Sequence, residues 1–488
     1  MGKSITRNAT FNMMYKALSV IFPLVIVSYA SRKLGATGIG LVSSAQNLVT
    51  YFTMFAALGI PSYGVRIIAQ TKKNKLECNK TFTELFLINL VSTIISIIAY
   101  FILIMNFDHT FIKLNYIFSS LIFINIFNVE WVYEAFEEYK YIAIRSFLVK
   151  GISLIALFVF VKNENDLFYY SIIVCLGIGG NYLLNLFKLR EYVKFNFKAL
   201  SFSRHFHVIM TFFGAVIAIE LYSLLDITML TYMTNSTNVG YYSNATKIIK
   251  MLANTMTAIG AVLLPRLSLY FVEKKYDEVQ KITQKFLDVI MILAIPACIG
   301  MILISDQIVY VLFGVDFKEA ISTVRILSPL IILMPLSGGI FGQILLTSGK
   351  EKVYFRCVCS GAFINIILNI IFIGLWKQNG AAFASICTEI IVSFLMILYS
   401  NKVININFNK GNMIKVCSSV ITFAIVVLII KILTPNISYV ISMTIEILTA
   451  IAIYIILLSL LRHELIVDML NKIKKRCSLI NKMKFRDC

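Results

Sequence analysis

Two lysines, Lys247 and Lys250, stand three residues apart in the apolar run GYYSNATKIIKMLANTMTAIGAVLLP, residues 240–265. Paired ammonium groups bind a compact anion as point charges, without the fixed fork geometry of arginine. They belong to a longer pattern. Ser243, Lys247, Lys250, Asn254 and Thr257 follow the spacing of one helix face, and the opposite face is Leu, Ile, Met and Ala. The hydroxyls and amide of that face add hydrogen bonds for a polar ligand. A second face, earlier in the chain, holds Asn8, Asn12, Lys16 and Ser19 ahead of Pro23, and a third holds Ser43, Asn47 and Thr50.

The elements that position these residues are membrane helices. The chain has 488 residues, 59% hydrophobic and only 14% charged, and its mean hydropathy is +0.82. Soluble chains have about 25% charged residues, so this composition belongs in a bilayer. Spans of about 20 apolar residues fall near 10–31, 40–62, 82–105, 114–134, 142–161, 167–187, 208–232, 239–264, 286–312, 321–347, 353–375, 380–400, 414–432 and 439–461. The expected fold class is therefore all-α, a polytopic membrane protein of about fourteen helices. The first run lacks a short apolar core with an A-x-A site and reads as a retained helix, not a signal peptide.

Placing the N-terminus in the cytoplasm puts 34 of the 45 Lys and Arg on the cytoplasmic side and 7 outside, with Lys16, Lys247, Lys250 and Arg325 inside spans. That asymmetry is the positive-inside signature, and it places both termini in the cytoplasm. The net charge of +20 then reflects topology and contact with anionic membrane lipid, not a nucleic-acid footprint. The nine cysteines and four histidines form no metal-ligand cluster: Cys357-Val-Cys359 has no second pair and no nearby histidine. No metal and no cofactor are expected. No loop is long enough for a soluble catalytic domain, so the chain does not read as an enzyme.

Depth gives the lysines their meaning. At about 1.5 Å per residue from Gly240, Lys247 is about 10 Å deep and Lys250 about 15 Å, near the middle of a core about 30 Å thick. A lysine there costs on the order of 2.5–3.5 kcal/mol and faces a bundle interior or a water-filled cavity. The structural alternative is pairing with Glu220 or Asp226 of the seventh span, which is compatible with the cavity reading; snorkelling to the interface also accounts for Lys247, though less readily for Lys250. Arg66 ends the second span, and Arg325 lies in the outer part of the tenth. Glu389 and Glu446 are further carboxylates at membrane depth, whereas Glu130, Glu134, Glu137 and Glu138 mark a solvated interface.

The chain also repeats itself. ATGIGLVSSA (36–45) and STNVGYYSNA (236–245) share Thr37/Thr237, Gly40/Gly240, Ser43/Ser243 and Ala45/Ala245 at a constant offset of 200. Each opens an even-numbered span that ends near a proline, Pro61 or Pro265, followed by Arg66 or Arg266. Parallel six-helix copies are a known transporter plan. The expected organisation is residues 1–204 and 205–402 as two six-helix bundles, helices 13 and 14 in 403–461, and a basic cytoplasmic tail, 462–488. Asn47 and Thr50 are then the uncharged repeat-mates of Lys247 and Lys250.

Six stretches together resemble oligosaccharide flippases of the Wzx type, in the superfamily that also holds the MATE drug exporters and the lipid II flippase. They are YASRKLGATGIGLVSSAQNLVTYF (29–52), LGIPSYGVR (58–66), VEWVYEAFEEYKYIAIRSFLVKGISLI (129–155), LDITMLTYMTNSTNVGYYSNATKIIKMLANTMTAIGAVLLPRLS (225–268), LFGVDFKEA (312–320) and NGAAFASICTEII (379–391). The resemblance covers about residues 8–400. It implies two six-helix bundles in a V, opening alternately to either side. It also implies transport of an undecaprenyl-pyrophosphate-linked oligosaccharide from inner to outer leaflet of a bacterial cell membrane, for capsule, exopolysaccharide or O-antigen assembly. A coupling proton or sodium ion and a polysaccharide polymerase complete the expected partners.

On this reading Lys16, Asn12, Asn47, Arg66, Lys247, Lys250, Asn254 and Arg325 contact the substrate, and Glu220, Asp226, Glu389 and Glu446 are the candidates for ion coupling. MATE exporters commonly use a carboxylate in the first helix; this chain has Lys16 there. That difference favours an anionic substrate over a MATE-like cation antiporter. It also leaves the energy source open. A membrane polysaccharide polymerase, the other alternative, needs a substantial catalytic loop, and the outer stretch near 305–320 offers only Asp306, Asp316, Lys318 and Glu319.

Overall fold

The computed structural model describes residues 5–105, 109–261, 264–406, 409–433 and 437–467. Side chains are described from residue 22 onward, except at 109–110, 215, 218–219, 221–223, 259–261 and 264–265. Among the described residues all regular structure is helical, as hydrocarbon requires. A helix satisfies its backbone N–H and C=O groups within one segment, and no water is available to do so.

The helices run α1 (Ile5–Ala57), α2 (Ile60–Thr71), α3 (Lys75–Ile104), α4 (His109–Ile124), α5 (Glu130–Ala135), α6 (Tyr139–Phe160), α7 (Leu167–Tyr192), α8 (Ser203–Met233) and α9 (Ser236–Ala261). They continue as α10 (Leu264–Val272), α11 (Tyr276–Leu303), α12 (Ser305–Leu312), α13 (Ala320–Leu327), α14 (Leu330–Met334), α15 (Gly342–Thr347), α16 (Glu351–Asn401), α17 (Lys410–Leu433) and α18 (Tyr439–Leu460). Ten helical stretches among the described residues are long and apolar enough to cross a membrane. Two of them, Phe22–Thr71 and Glu351–Asn401, have 50 and 51 residues. At about 1.5 Å per residue each is roughly 75 Å long, more than twice the hydrocarbon core. Each is broken where the sequence places a boundary between spans, at Gly35 (φ 65°) and at Lys377 (φ 50°). The chain is thus an all-α, multi-pass membrane protein.

Residues Met1–Asn244 with Ile366–Ala381 form one compact unit, and Ala245–Asn365 with Ala382–Cys488 form another. In the first, the core at one end gathers Ile60, Tyr63, Phe82, Leu85 and Trp131. Trp131 lies so close over Gly64 that a Cβ there would sit 2.6 Å from its ring. The segment after α7 is laced onto α3. Asn79 accepts from the Lys194 N–H at 2.9 Å, Thr83 from Asn196 at 2.8 Å, and buried Glu84 from Ser201. Arg204 pairs with Glu84 and Glu77. His205 bonds Glu84 through Nε2 and Tyr63 through Nδ1, each at 2.8 Å. A neutral ring, donating to the carboxylate and accepting the phenol proton, satisfies both.

The repeated motifs meet each other in this unit. Thr37 bonds Thr237 and Ser43 bonds Ser243, each at 2.9 Å, and Asn244 donates to Ser31 at 2.7 Å. A Cβ on Gly40 would fall 1.6 Å from the Ser236 carbonyl oxygen, and one on Gly240 would fall 2.0 Å from that of Ala36. Glycine is what lets the two backbones touch, the small-residue contact that membrane helices use where burial of apolar surface gives no drive.

In the second unit, α11, α17 and α18 share a core of Ile292, Val416, Val420, Phe423, Val427 and Leu458, and Tyr454 donates to the Ile292 carbonyl at 2.7 Å. Between α14 and α15 the helix widens into a π-turn, Pro335–Phe341.

Two predictions follow from these contacts. Gly40→Ala, measured by thermal unfolding in detergent, should destabilise the protein by about 1–3 kcal/mol through overpacking. Gly151→Ala, where a Cβ meets nothing within 4 Å, should be near neutral. Burial holds the folded His205 below the ordinary imidazole value, with the charge of Arg204 acting in the same direction. The unfolded state therefore binds the extra proton. The stability this histidine contributes is complete above about pH 6.5 and is lost as the pH falls below it. His205→Gln should flatten that limb of a melting-temperature profile.

Candidate functional site

The α9 stripe reads from one end to the other as a change of environment. Tyr242, Ser243, Asn244 and Thr246 are buried. One turn further, Lys247 and Asn254 are exposed, while Ile248, Ile249 and Ala253 behind them are buried. Lys250 and Thr257 are half-buried, and Lys250 has a bonded or electrostatic partner. Among the described residues no carboxylate lies within ion-pair distance of Lys247. Ile248, Ile249 and Ala253 are thus packed, and the Lys247 and Asn254 side chains stay accessible.

Asn47, the repeat-mate of Lys247, is placed differently. It is buried and donates to Thr228 Oγ1 at 2.8 Å and to the Leu224 carbonyl at 3.2 Å. Tyr51 bonds the same Thr228 at 2.9 Å, and Ser44 bonds Thr231 at 2.8 Å. The polar face of α1 is therefore engaged with α8. The Asn47 Oδ1 keeps no protein partner, so one acceptor is left for a water or a ligand.

The four carboxylates expected at membrane depth separate. Glu220 is exposed. Asp226 is buried and accepts from the Tyr242 hydroxyl at 2.6 Å and from Asn369 Nδ2 at 2.7 Å, so a single carboxylate joins α8, the start of α9 and the 366–381 part of α16. Glu389 is buried and accepts from Ser337 in the π-turn; such turns recur at functional sites. Glu446 is fully buried on α18, bonded to Ser442 and Gln307.

Arg325 is exposed and donates Nε to Ser305 at 2.7 Å. Arg66 is exposed on α2. Asn12 and Lys16 lie outside the residues whose side chains are described.

Glu130 departs from the solvated interface expected for it. It forms an ion pair with Arg145, which is 2% exposed and also donates to Asn185. Glu137 does stay open, 64% exposed and 3.9 Å from Lys72. Sequence reasoning also missed Tyr51, Thr228, Tyr242, Ser337 and Asn369. Each is an uncharged polar residue whose helix position alone carries no sign of a carboxylate or amide opposite. The available signal was the offset repeat, since Ser43 pairing with Ser243 fixes which face of α9 opposes α1.

A polytopic helical fold with repeat-related helices in close contact and an accessible lysine on one of them fits one class, a membrane transporter. A family model described as polysaccharide biosynthesis protein matches residues 5–271, more than half of the chain, and the chain belongs to that family. A candidate O-antigen transporter of Escherichia coli (strain K12) is 22% identical over 415 residues, 81% of this chain and 96% of that protein. A candidate flippase of low-salt glycan biosynthesis, Agl15 of Haloferax volcanii, is 24% identical over 187 residues, 38% of this chain and 39% of its own. Among solved structures, the lipid II flippase MurJ in an inward closed conformation superposes with a TM-score of 0.75 at 16% identity, over 93% of this chain and 99% of that one. The expected resemblance to Wzx-type flippases is borne out.

Substitutions should separate structural groups from presented ones. Asp226→Ala removes the acceptor of the Tyr242 hydroxyl and Asn369 amide bonds and should destabilise the protein by roughly 1–3 kcal/mol. Lys247→Ala removes an exposed side chain and should change stability by less than about 0.5 kcal/mol. Thermal unfolding of the purified variants tests the contrast.

Proposed function

We propose that this protein flips a lipid-linked oligosaccharide across the membrane for surface polysaccharide assembly. The observation that carries the reading is the α9 stripe, on which Lys247 and Asn254 are exposed at membrane depth while the apolar residues behind them are buried. A charge at that depth is tolerated where water or a ligand meets it. A diphosphate linked to sugar fits what the stripe offers: two ammonium groups for the phosphates, and amide and hydroxyl groups for the sugar. The names carried by the relatives, an O-antigen transporter and a glycan flippase, support the same substrate class. The carrier is undecaprenyl pyrophosphate, its polyprenyl tail remaining in lipid while the head group crosses.

The remaining site roles extend this reading. Lys16, Asn12, Asn47, Arg66 and Arg325 join Lys247, Lys250 and Asn254 along the head-group path, and Glu220, Asp226, Glu389 and Glu446 are the coupling candidates for a proton or sodium ion. Residues 1–204 and 205–402 act as the two halves of an alternating-access cycle, with 403–461 as two added helices. The distribution of Lys and Arg supports an orientation with both termini in the cytoplasm, and the undecaprenyl carrier proposed above assigns the protein to a bacterial cell membrane.

The test is complementation in cells lacking the protein. Lys247→Ala with Lys250→Ala should abolish polymer export while the protein still inserts, and lipid-linked repeat units should accumulate inside. Normal surface polysaccharide in the double variant overturns the proposal. Efflux of cationic dyes by the wild-type protein would instead support a small-molecule antiporter.

A further inference from the structure

The Glu446 carboxyl is 0% exposed, and the facing Gln307 of α12 is 4% exposed. Gln307 Nε2 donates to Glu446 Oε1 at 2.8 Å, and Ser442 Oγ donates to the same oxygen at 2.7 Å. Two atoms of this cluster have no partner: Glu446 Oε2 and Gln307 Oε1. Both are acceptors, so what the cluster lacks is a donor. A carboxylate oxygen left bare in a buried site costs several kcal/mol.

The neighbouring cations bond other groups. Lys431 of α17 binds Asp306 of α12 at 2.8 Å and the Leu303 carbonyl at the end of α11. Arg325 of α13 donates its Nε to Ser305, and the Ser305 hydroxyl goes to the Ile302 carbonyl. Asp306 is itself an acceptor and balances Lys431. Lys431 and Asp306 act on Glu446 through their charge, but among the described residues no side chain donates to the bare oxygen.

We propose that Glu446 is a proton-binding site: its Oε2 carries a proton and donates it to Gln307 Oε1. The carboxylic acid and the primary amide then close a ring of two hydrogen bonds, one in each direction, which ties α18 to α12. One added proton satisfies both orphan acceptors at once. On release, the O–H electron pair stays on Oε2 and the proton passes to water or hydroxide. The carboxylate oxygen is then left against the amide oxygen, two acceptors in opposition, and the α12–α18 contact weakens. The inference deepens the coupling reading by naming the ion and its seat; it requires only the membrane fold and no particular cargo.

The experiment uses the purified full-length protein in lipid nanodiscs. Infrared difference spectra between wild type and E446Q at neutral pH should show a protonated-carboxyl C=O band in the wild type that E446Q lacks. Thermal unfolding supplies an independent arm. E446Q replaces the O–H by an N–H that still donates to Gln307, so its melting temperature should match the wild type; E446A should melt lower. Raising the pH should lower the wild-type melting temperature, with E446Q losing that part of the slope. A carboxylate band in place of the acid band overturns the proposal, as does E446Q melting as low as E446A. Neither readout involves polysaccharide export. Loss of this site and loss of the flippase reading are therefore separate outcomes.

Discussion

A polar side chain in a bilayer must find a partner or face water, and that constraint sorts this molecule. Asn47, Asp226, Glu389 and Glu446 are buried and each is hydrogen-bonded to a neighbouring helix. Lys247 and Asn254 are exposed. The first group holds helices in register, since each donor–acceptor pair admits one alignment. The second group is free of that duty and can be spent on a ligand. The exposed Lys247 bonds no neighbouring helix among the described residues, which is what the proposed contact with an anionic head group requires.

The same constraint explains the Gly40 and Gly240 crossing. Lipid tails are as apolar as leucine, so helix association rests on close packing and on hydrogen bonds. Two glycines bring the backbones into contact, and Thr37, Thr237, Ser43 and Ser243 then reach across. Each residue meets its own repeat-mate, the arrangement a local two-fold axis generates. A repeat that is weak letter by letter is thereby strong in space, because the retained letters are the ones at the contact.

The sequence conveyed the helices well and the networks poorly. Hydropathy and the Lys/Arg asymmetry located the helical stretches, including the breaks at Gly35 and Lys377, because length and composition are properties of one segment. The α9 stripe was legible for the same reason, since amphipathicity needs only helical spacing. Partnerships were not. Nothing local to Asp226 names Tyr242 or Asn369, and nothing local to Glu130 says that Arg145 lies against it beneath the surface. The four glutamates of 130–138 look like one acidic cluster, yet the half-buried Glu130 pairs with the buried Arg145 and Glu137 stays in the open. Such distinctions depend on which helix is opposite, and that is a property of the packing, whether the partner is 15 residues away, as Arg145 is from Glu130, or 143, as Asn369 is from Asp226.

The placement of the lysines follows from how α9 is held. Its first two turns are fixed by Thr237, Gly240, Tyr242, Ser243 and Asn244, each with a partner distant in sequence. Along an α-helix a residue four positions on appears on the same face about 6 Å further along. The face that bonds Ser43 through Ser243 is therefore the face that carries Lys247, and the change from buried to exposed takes a single turn. Among the described residues Lys247 stands exposed with no carboxylate within ion-pair distance, while Lys250 is half-buried and has a partner of its own.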